Sequence, residues 1–301
     1  MILIFSELYD SSTNVVIDYL SFNKKEFYRI NEDLPIEYVI NKRGIKILNP
    51  ISINLIDINS VWFRRSIARI KKELIKSELK ILAPLLNEHS FSIQEYLNYS
   101  LSTKNRIGGY DNFDVNKLIV SHIAKEVGLR VPKSYLGVGP RNINAERTYI
   151  TKLLTGNSNI ETEEGANLVF PVKLLNDIDK ITRNTYFQEY ISKKYELRIF
   201  YLKGKCYAMT IFTQRDSKTK IDYRRYNKQI PNRTVPYLLP SAIENKIETL
   251  MNKLKLNTGS IDMIVTPEDE YYFLEVNPVG QFGMVSFPCN YNLEEKIANI
   301  L

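Results

Sequence analysis

Short apolar runs alternate with polar turns over residues 1–62. Leu3-Ile4-Phe5 and Val61-Trp62-Phe63 predict strands, with a helix between them, in a small α/β lobe. From Ser66 to Leu86 the apolar positions Ile67, Ile70, Leu74, Leu79 and Leu82 roughly follow a helical period with lysines between them. That pattern predicts a helix over 66–86. The clearest helix is predicted at 114–127, where Val120, Ile123, Ala124 and Val127 share a face. Asp114 can cap its start, Gly128 can end it and Pro132 blocks its return. Strands are then expected at Tyr149–Leu154, Leu168–Leu174, Tyr186–Ile191, Leu197–Leu202 and Cys206–Phe212. Lys203-Gly204 would form the hairpin turn between the last two. A helix at 241–255, a hairpin at 258–277 and a short helix at 292–301 complete the order. No repeat, low-complexity tract or long Pro/Gly linker interrupts it.

The 258–277 hairpin carries the first chemistry. A four-residue loop, Pro267–Glu270, puts Thr266 opposite Tyr271. Four steps back along each strand then put Asp262 opposite Glu275. Glu275 and Asn277 are two apart and share a strand face. Three hard oxygen side chains therefore converge on one face, aligned with Ile264 and Phe273 as in a lined cleft. Opposed carboxylates in an apolar sheet repel each other and lose hydration. A divalent cation relieves both costs, and Mg²⁺ prefers such oxygen ligands. The competing expectation is a hairpin with an ordinary wet face.

Lys117 begins the capped helix, and Lys152 lies inside an apolar strand. A lysine there faces water or reaches a ligand, and a point-charge ammonium suits a nucleotide phosphate. The polar, glycine-bearing residues 154–167 suit a lid or a plain loop. Tyr186–Ile191 is expected to be a strand edge whose backbone groups, at Gln188, Glu189, Tyr190 and Ile191, can meet an adenine edge. Glu196 and Arg198 share one strand face. The carboxylate could accept ribose hydroxyls and the guanidinium could clamp a phosphoryl group, unless the two simply form a surface salt bridge. There is no GxxxxGK[ST] loop, and Gly137-Val138-Gly139 lacks a third glycine.

Composition narrows the classes further. In 301 residues, 44% hydrophobic and 25% charged, no stretch approaches a membrane span, so a globular protein without membrane association is expected. The first residues read as a strand and not a signal peptide, which sets a cytoplasmic expectation. Cys206 and Cys289 give no disulfide framework, and His89 and His122 are too few for a zinc centre. The net charge of +7 favours an anionic partner. The aromatic residues are dispersed and not gathered on a basic stripe, so nucleic acid is not expected to be that partner.

In order, Lys117, Lys152, Gln188-Glu189-Tyr190-Ile191, Glu196-Leu197-Arg198, Asp262 and Glu275-Val276-Asn277 resemble the motifs of the ATP-grasp superfamily. RimK-type glutamate ligases share that set. Val61–Arg65, Asn116–Leu118, Gln214, Asp222–Arg224 and Glu275–Phe282 look more like the peptide maturases that make graspetides. Phe282–Asn292 resembles their grasp-with-spasm branch. One departure is Tyr223, where many relatives carry Trp. It leaves open whether Arg224 or Arg225 faces substrate.

The resemblance implies an α/β (α+β) chain with the ATP-grasp fold. It would have an N-terminal α/β lobe at 1–105, a central lobe at 106–190 and a C-terminal lobe at 191–301, the last two clasping ATP between antiparallel sheets. Lys117 and Lys152 would hold phosphates, Gln188 to Ile191 adenine, and Glu196 the ribose. Asp262, Glu275 and Asn277 would hold two Mg²⁺ ions, and Arg198 would stabilise the transferring phosphoryl group. The expected reaction joins side chains of a ribosomally made precursor peptide, with leader and core, through an acyl phosphate. By their place after the strand Cys206–Phe212, Arg215, Arg224 and Arg225 either seat the acceptor carboxylate or form a solvated surface, with Asp216 or Asp222 as a base. A homodimer is expected by resemblance alone. The alternatives are a RimK-like ligase adding amino acids to another acceptor, and an inactive scaffold.

Overall fold

The computed structural model describes the chain apart from residues 43, 72–80, 112–114, 137–146, 153, 155–158, 162–166, 170–172, 175–185, 215–228 and 230. Two units separate by their internal packing, Met1–Phe113 with Asn292–Leu301, and Asp114–Tyr291.

The first unit is built on a parallel sheet of β1 (Ile2–Ser6), β2 (Phe27–Asn31), β6 (Ser60–Phe63) and β7 (Asn105–Ile107), in the order β2-β1-β6-β7. A parallel strand covered on both faces needs a continuous apolar run, and β1 is buried at every position. Helix α1 (Ser11–Phe22) makes the crossover to β2. A smaller antiparallel sheet holds β3 (Glu37–Asn41), β4 (Gly44–Asn49) and β5 (Ile53–Asn54). The helix expected over 66–86 is not where the sequence placed it. Ile70 instead pairs with Ile36 as an isolated bridge, residues 72–80 lie outside the described residues, and helix α2 spans Ala83–Ser102. Asn98 of α2 explains the extended 66–71 segment. Its side chain accepts from the Ala68 N–H at 2.9 Å and donates to the Ala68 carbonyl at 2.8 Å, as a strand partner would.

The second unit starts with α3 (Lys117–Glu126). Asp114 lies outside the described residues, and Asn116 makes the cap: its Oδ1 accepts from the N–H groups of Leu118 and Ile119. Gly128 follows with φ +78°, the left-handed end that glycine permits. One sheet contains β8 (Ser134–Tyr135), β9 (Tyr149–Thr151), β12 (Lys173–Leu174) and β13 (Phe187–Glu189), in the order β12-β9-β13-β8. Between β9 and β12, β10 (Asn159–Glu161) and β11 (Asn167–Val169) form a separate two-stranded ribbon, so the strand expected at Leu168–Leu174 is divided between two sheets.

The second sheet of this unit is antiparallel throughout. It comprises β14 (Tyr195–Leu202), β15 (Lys205–Phe212), β16 (Arg233–Tyr237), β17 (Thr258–Val265) and β18 (Tyr271–Asn277), in the order β16-β15-β14-β17-β18. Lys203 and Gly204 both have positive φ, as a two-residue hairpin of matching twist requires. One face, with Leu197, Ile199, Ile261, Met263 and Phe273, packs in a core with Ile247, Leu250 and Met251 of α4 (Ser241–Lys253) and Val120 and Ala124 of α3. Helix α5 (Gly283–Cys289) follows the hairpin. Helix α6 (Leu293–Ile300) belongs to the first unit, where Lys25 Nζ donates to the Ala298 carbonyl at 2.8 Å. Among the described residues no helix is long and apolar enough to cross a membrane.

Candidate active site

Asp262 and Glu275 do stand directly opposite each other, by a different route from the one expected. The connection pairs Val265, not Thr266, with Tyr271. That register would put Asp262 opposite Leu274, but it shifts between Asp262 and Met263. The extra residue on β18 moves Glu275 into place, a use of a β-bulge to re-aim a side chain. The bulge also breaks the alternation of faces. Phe273 and Val276 both lie in the helix-packed core, so Phe273 does not line the face that carries Glu275, contrary to expectation.

The carboxylates are matched by cations. Arg198, in register with Asp262, donates from Nη1 to both Asp262 oxygens at 2.7 Å. Lys117 Nζ lies 3.2 Å, and Lys152 Nζ 3.9 Å, from the same oxygen of Glu275. Three sequence-distant elements thus meet: the capped start of α3, the end of β9 and the bulged strand β18. The buried Glu196 accepts from Lys193 Nζ at 2.6 Å and from Thr213 Oγ1 at 3.5 Å.

The donor chemistry fits magnesium: two opposed carboxylates and the Asn277 amide, all hard oxygens. Asn277 Oδ1 accepts from the Val279 N–H at 3.0 Å, and a carbonyl oxygen has a second lone pair for a metal. No cluster of three His, Cys, Asp or Glu occurs among the described residues, so phosphate and water oxygens would complete the coordination. Gly280 fixes the turn after Asn277. A Cβ added there would sit 2.1 Å from Ser260 Oγ, and the Gly280 N–H donates to the Asn277 carbonyl at 3.1 Å.

The segment expected as a strand edge is interior up to Glu189, since β13 runs between β8 and β9. The N–H groups of Glu189 and Tyr190 donate to the Lys133 and Thr148 carbonyls, and Ile191 lies beyond the ladder. Gln188 is buried and its Nε2 donates to Ser134 Oγ at 2.8 Å, while Glu189 pairs with Arg147. Arg215, Asp216, Asp222, Arg224 and Arg225 lie outside the described residues, as does most of the expected lid at 154–167.

Lys193, Ser134 and Arg147 were not singled out from the sequence. Lys193 stands three residues before Glu196, a spacing that puts side chains on opposite faces of a strand. The two meet because the chain is not yet a strand at 190–194. No local signal marks such a contact.

No protein-family model and no curated protein matches the sequence. Among solved structures, a Chryseobacterium gregarium RiPP-associated ATP-grasp ligase, in complex with ADP and a leader and core peptide, is 26% identical. The match covers 99% of this chain and 94% of that one, with a TM-score of 0.77. Macrocyclase MdnC from Microcystis aeruginosa, bound with precursor peptide MdnA, is 23% identical over 100% and 99% of the two chains, with a TM-score of 0.75. ATP-grasp ligase PsnB, complexed with minimal precursor, Mg and ADP, is 13% identical over 99% and 96%, with a TM-score of 0.70. The chain has the ATP-grasp fold and is similar along its whole length to RiPP-associated ATP-grasp ligases and macrocyclases.

Proposed function

We propose that this protein is an ADP-forming ligase that closes side-chain-to-side-chain ester or amide links in a ribosomally made precursor peptide. The observation that carries the reading is the meeting of Lys117 and Lys152 on Glu275, beside the Arg198–Asp262 pair, in a whole-chain match to peptide-bound ATP-grasp ligases. The two sheets of the second unit are then the lobes that clasp ATP.

A side-chain carboxylate of the peptide attacks the γ-phosphorus of ATP, the bond to ADP breaks and an acyl phosphate forms. Lys117 and Lys152 exchange Glu275 for phosphate oxygens and position them. Arg198 stabilises the charge gathering on the transferred group. Magnesium, two ions held by Asp262, Glu275 and Asn277, would neutralise further phosphate charge. Glu196 accepts from the ribose, with Lys193 fixing its orientation, and Gln188 to Ile191 hold the adenine. A hydroxyl or amine of the same peptide then attacks the acyl carbon, its proton passing to a base, and phosphate leaves. Arg215 and Arg224 are the proposed seat of the acceptor carboxylate. A cytoplasmic homodimer belongs to the same reading.

The test is to incubate the protein with ATP, magnesium chloride and a candidate precursor, and to weigh the peptide. Loss of one water mass per link, with ADP and phosphate released and Glu275→Ala inactive, is the expected result. An unchanged peptide, with amino acids added to some other acceptor, would overturn the proposal.

A further inference from the structure

Gln188 is 1% exposed, and among the described residues its Oε1 has no hydrogen-bond partner. A buried carbonyl oxygen left unpaired is costly, so its orientation needs a cause. Ser134 supplies it. The Ser134 hydroxyl donates its single proton to the Pro132 carbonyl at 3.2 Å. Its oxygen can then only accept, and it accepts from the Tyr186 hydroxyl at 3.2 Å and from Gln188 Nε2 at 2.8 Å. Burial pushes the Tyr186 phenol up, its bond to Ser134 offsets part of this, and the Glu275 charge raises it again. The phenol therefore keeps its proton and remains a donor. With these protons directed toward Ser134 and Pro132, the Ser134 oxygen takes the Gln188 amide nitrogen, and Oε1 is left as the acceptor without a partner among the described residues.

The register places the Gln188 side chain on the face that Lys152 shares. Gln188 is in register with Ser134 on one neighbour and Ile150 on the other, and Lys152 lies two residues beyond Ile150. Side chains two apart share a face, so Gln188 and Lys152 lie on the face from which Lys152 reaches Glu275. The opposite face holds the packed rings of Tyr135, Tyr149 and Phe187.

We infer that Ser134 is a positioning residue that locks Gln188 as a hydrogen-bond acceptor, and that this acceptor selects a purine with a 6-amino group over one with a 6-oxo group. The inference rests on the proposed use of ATP. Adenine would donate an amine proton to Oε1. Hypoxanthine and guanine would set carbonyl oxygen against carbonyl oxygen, leaving both unpaired.

The experiment measures binding of ATP, ITP and purine riboside triphosphate to the full chain by calorimetry, with magnesium present, alongside ADP or IDP release. ITP differs from ATP at the 6-position without adding a 2-amino group. Wild type is expected to prefer ATP over ITP by roughly ten- to a hundredfold, the cost of an unmet buried acceptor, with purine riboside triphosphate between them. Ser134→Ala frees the amide to turn and offer Nε2. The ATP-to-ITP ratio should then fall roughly tenfold, mainly through tighter ITP binding, whereas Ser134→Thr keeps the hydroxyl and the ratio. Gln188→Leu should also erase the preference and serves where Ser134→Ala fails to fold. A wild type that binds ATP and ITP alike, or variants that keep the wild-type ratio, would overturn the inference while leaving the ligase intact. Absence of any nucleoside triphosphate binding would overturn the ligase reading itself.

Discussion

Gly280→Ala should cost both stability and activity, through one steric collision. An added Cβ would lie 2.1 Å from Ser260 Oγ, 2.2 Å from Ser260 Cβ and 2.8 Å from Ser260 N. Carbon atoms in contact sit about 3.5–4 Å apart, so β17 and the turn must separate by more than an ångström. Overpacking of that kind costs about 1–3 kcal/mol. At the upper end this lowers the melting temperature by about 6–12 °C for a unit of this size. Two of the three close atoms belong to the Ser260 side chain, which gives the reasoning its check. Ser260→Gly removes them and leaves only the backbone nitrogen, so Gly280→Ala should cost roughly half as much in that background, a coupling of about 0.5–1.5 kcal/mol. The assay is thermal unfolding of wild type, both single variants and the double variant. Activity should follow, because Gly280 is hydrogen-bonded to Asn277 and its displacement moves a proposed metal ligand. The reasoning fails if Gly280→Ala melts within about 1 °C of wild type, or if the two costs simply add.

Three further outcomes follow from other contacts. Arg198→Lys keeps the charge but loses the planar guanidinium whose Nη1 donates to both oxygens of Asp262; turnover should fall by roughly a hundredfold with a small change in melting temperature, measured as ADP release. Asn116→Ala removes the side-chain cap of α3 and should cost about 1 kcal/mol in denaturant unfolding, with a weaker apparent affinity for ATP because Lys117 opens that helix. Asp10 gives a pH signature: burial would raise its carboxyl, but Arg64, Thr13 and Arg65 together outweigh that and hold it below the usual carboxylate range. Its contribution is therefore present above about pH 4, the ordinary unfolded value, and is lost as pH falls through the lower folded value. Asp10→Asn should flatten the acid limb of a stability-versus-pH curve, and an unchanged limb would refute the assignment.

Much of this protein was legible in local patterns. The buried run of β1, the apolar face of α3, the Lys203-Gly204 turn and the 258–277 hairpin all follow from short-range rules, because period, capping and turn chemistry act within a few residues. The order of motifs from Lys117 to Asn277 was enough to point to the ATP-grasp fold. Local reasoning failed where distant chain took over. Residues 66–71 look helical by period, yet Asn98, some thirty positions on, satisfies the backbone of Ala68 as a strand would, and Gln94 accepts from the Ile70 N–H. Asp262 and Glu275 were paired correctly by counting, but the count assumed a regular ladder. The real turn is one residue different and a bulge restores the match, which a period-two pattern does not encode. The convergence of Lys117, Lys152 and Glu275, the Lys193–Glu196 pair and the orientation of Gln188 were decided only by tertiary structure. Each depends on segments far apart in sequence or on a bend at a strand's end. The sequence determined which charges and hydrogen-bonding groups exist, and the folded sheets determined which of them meet.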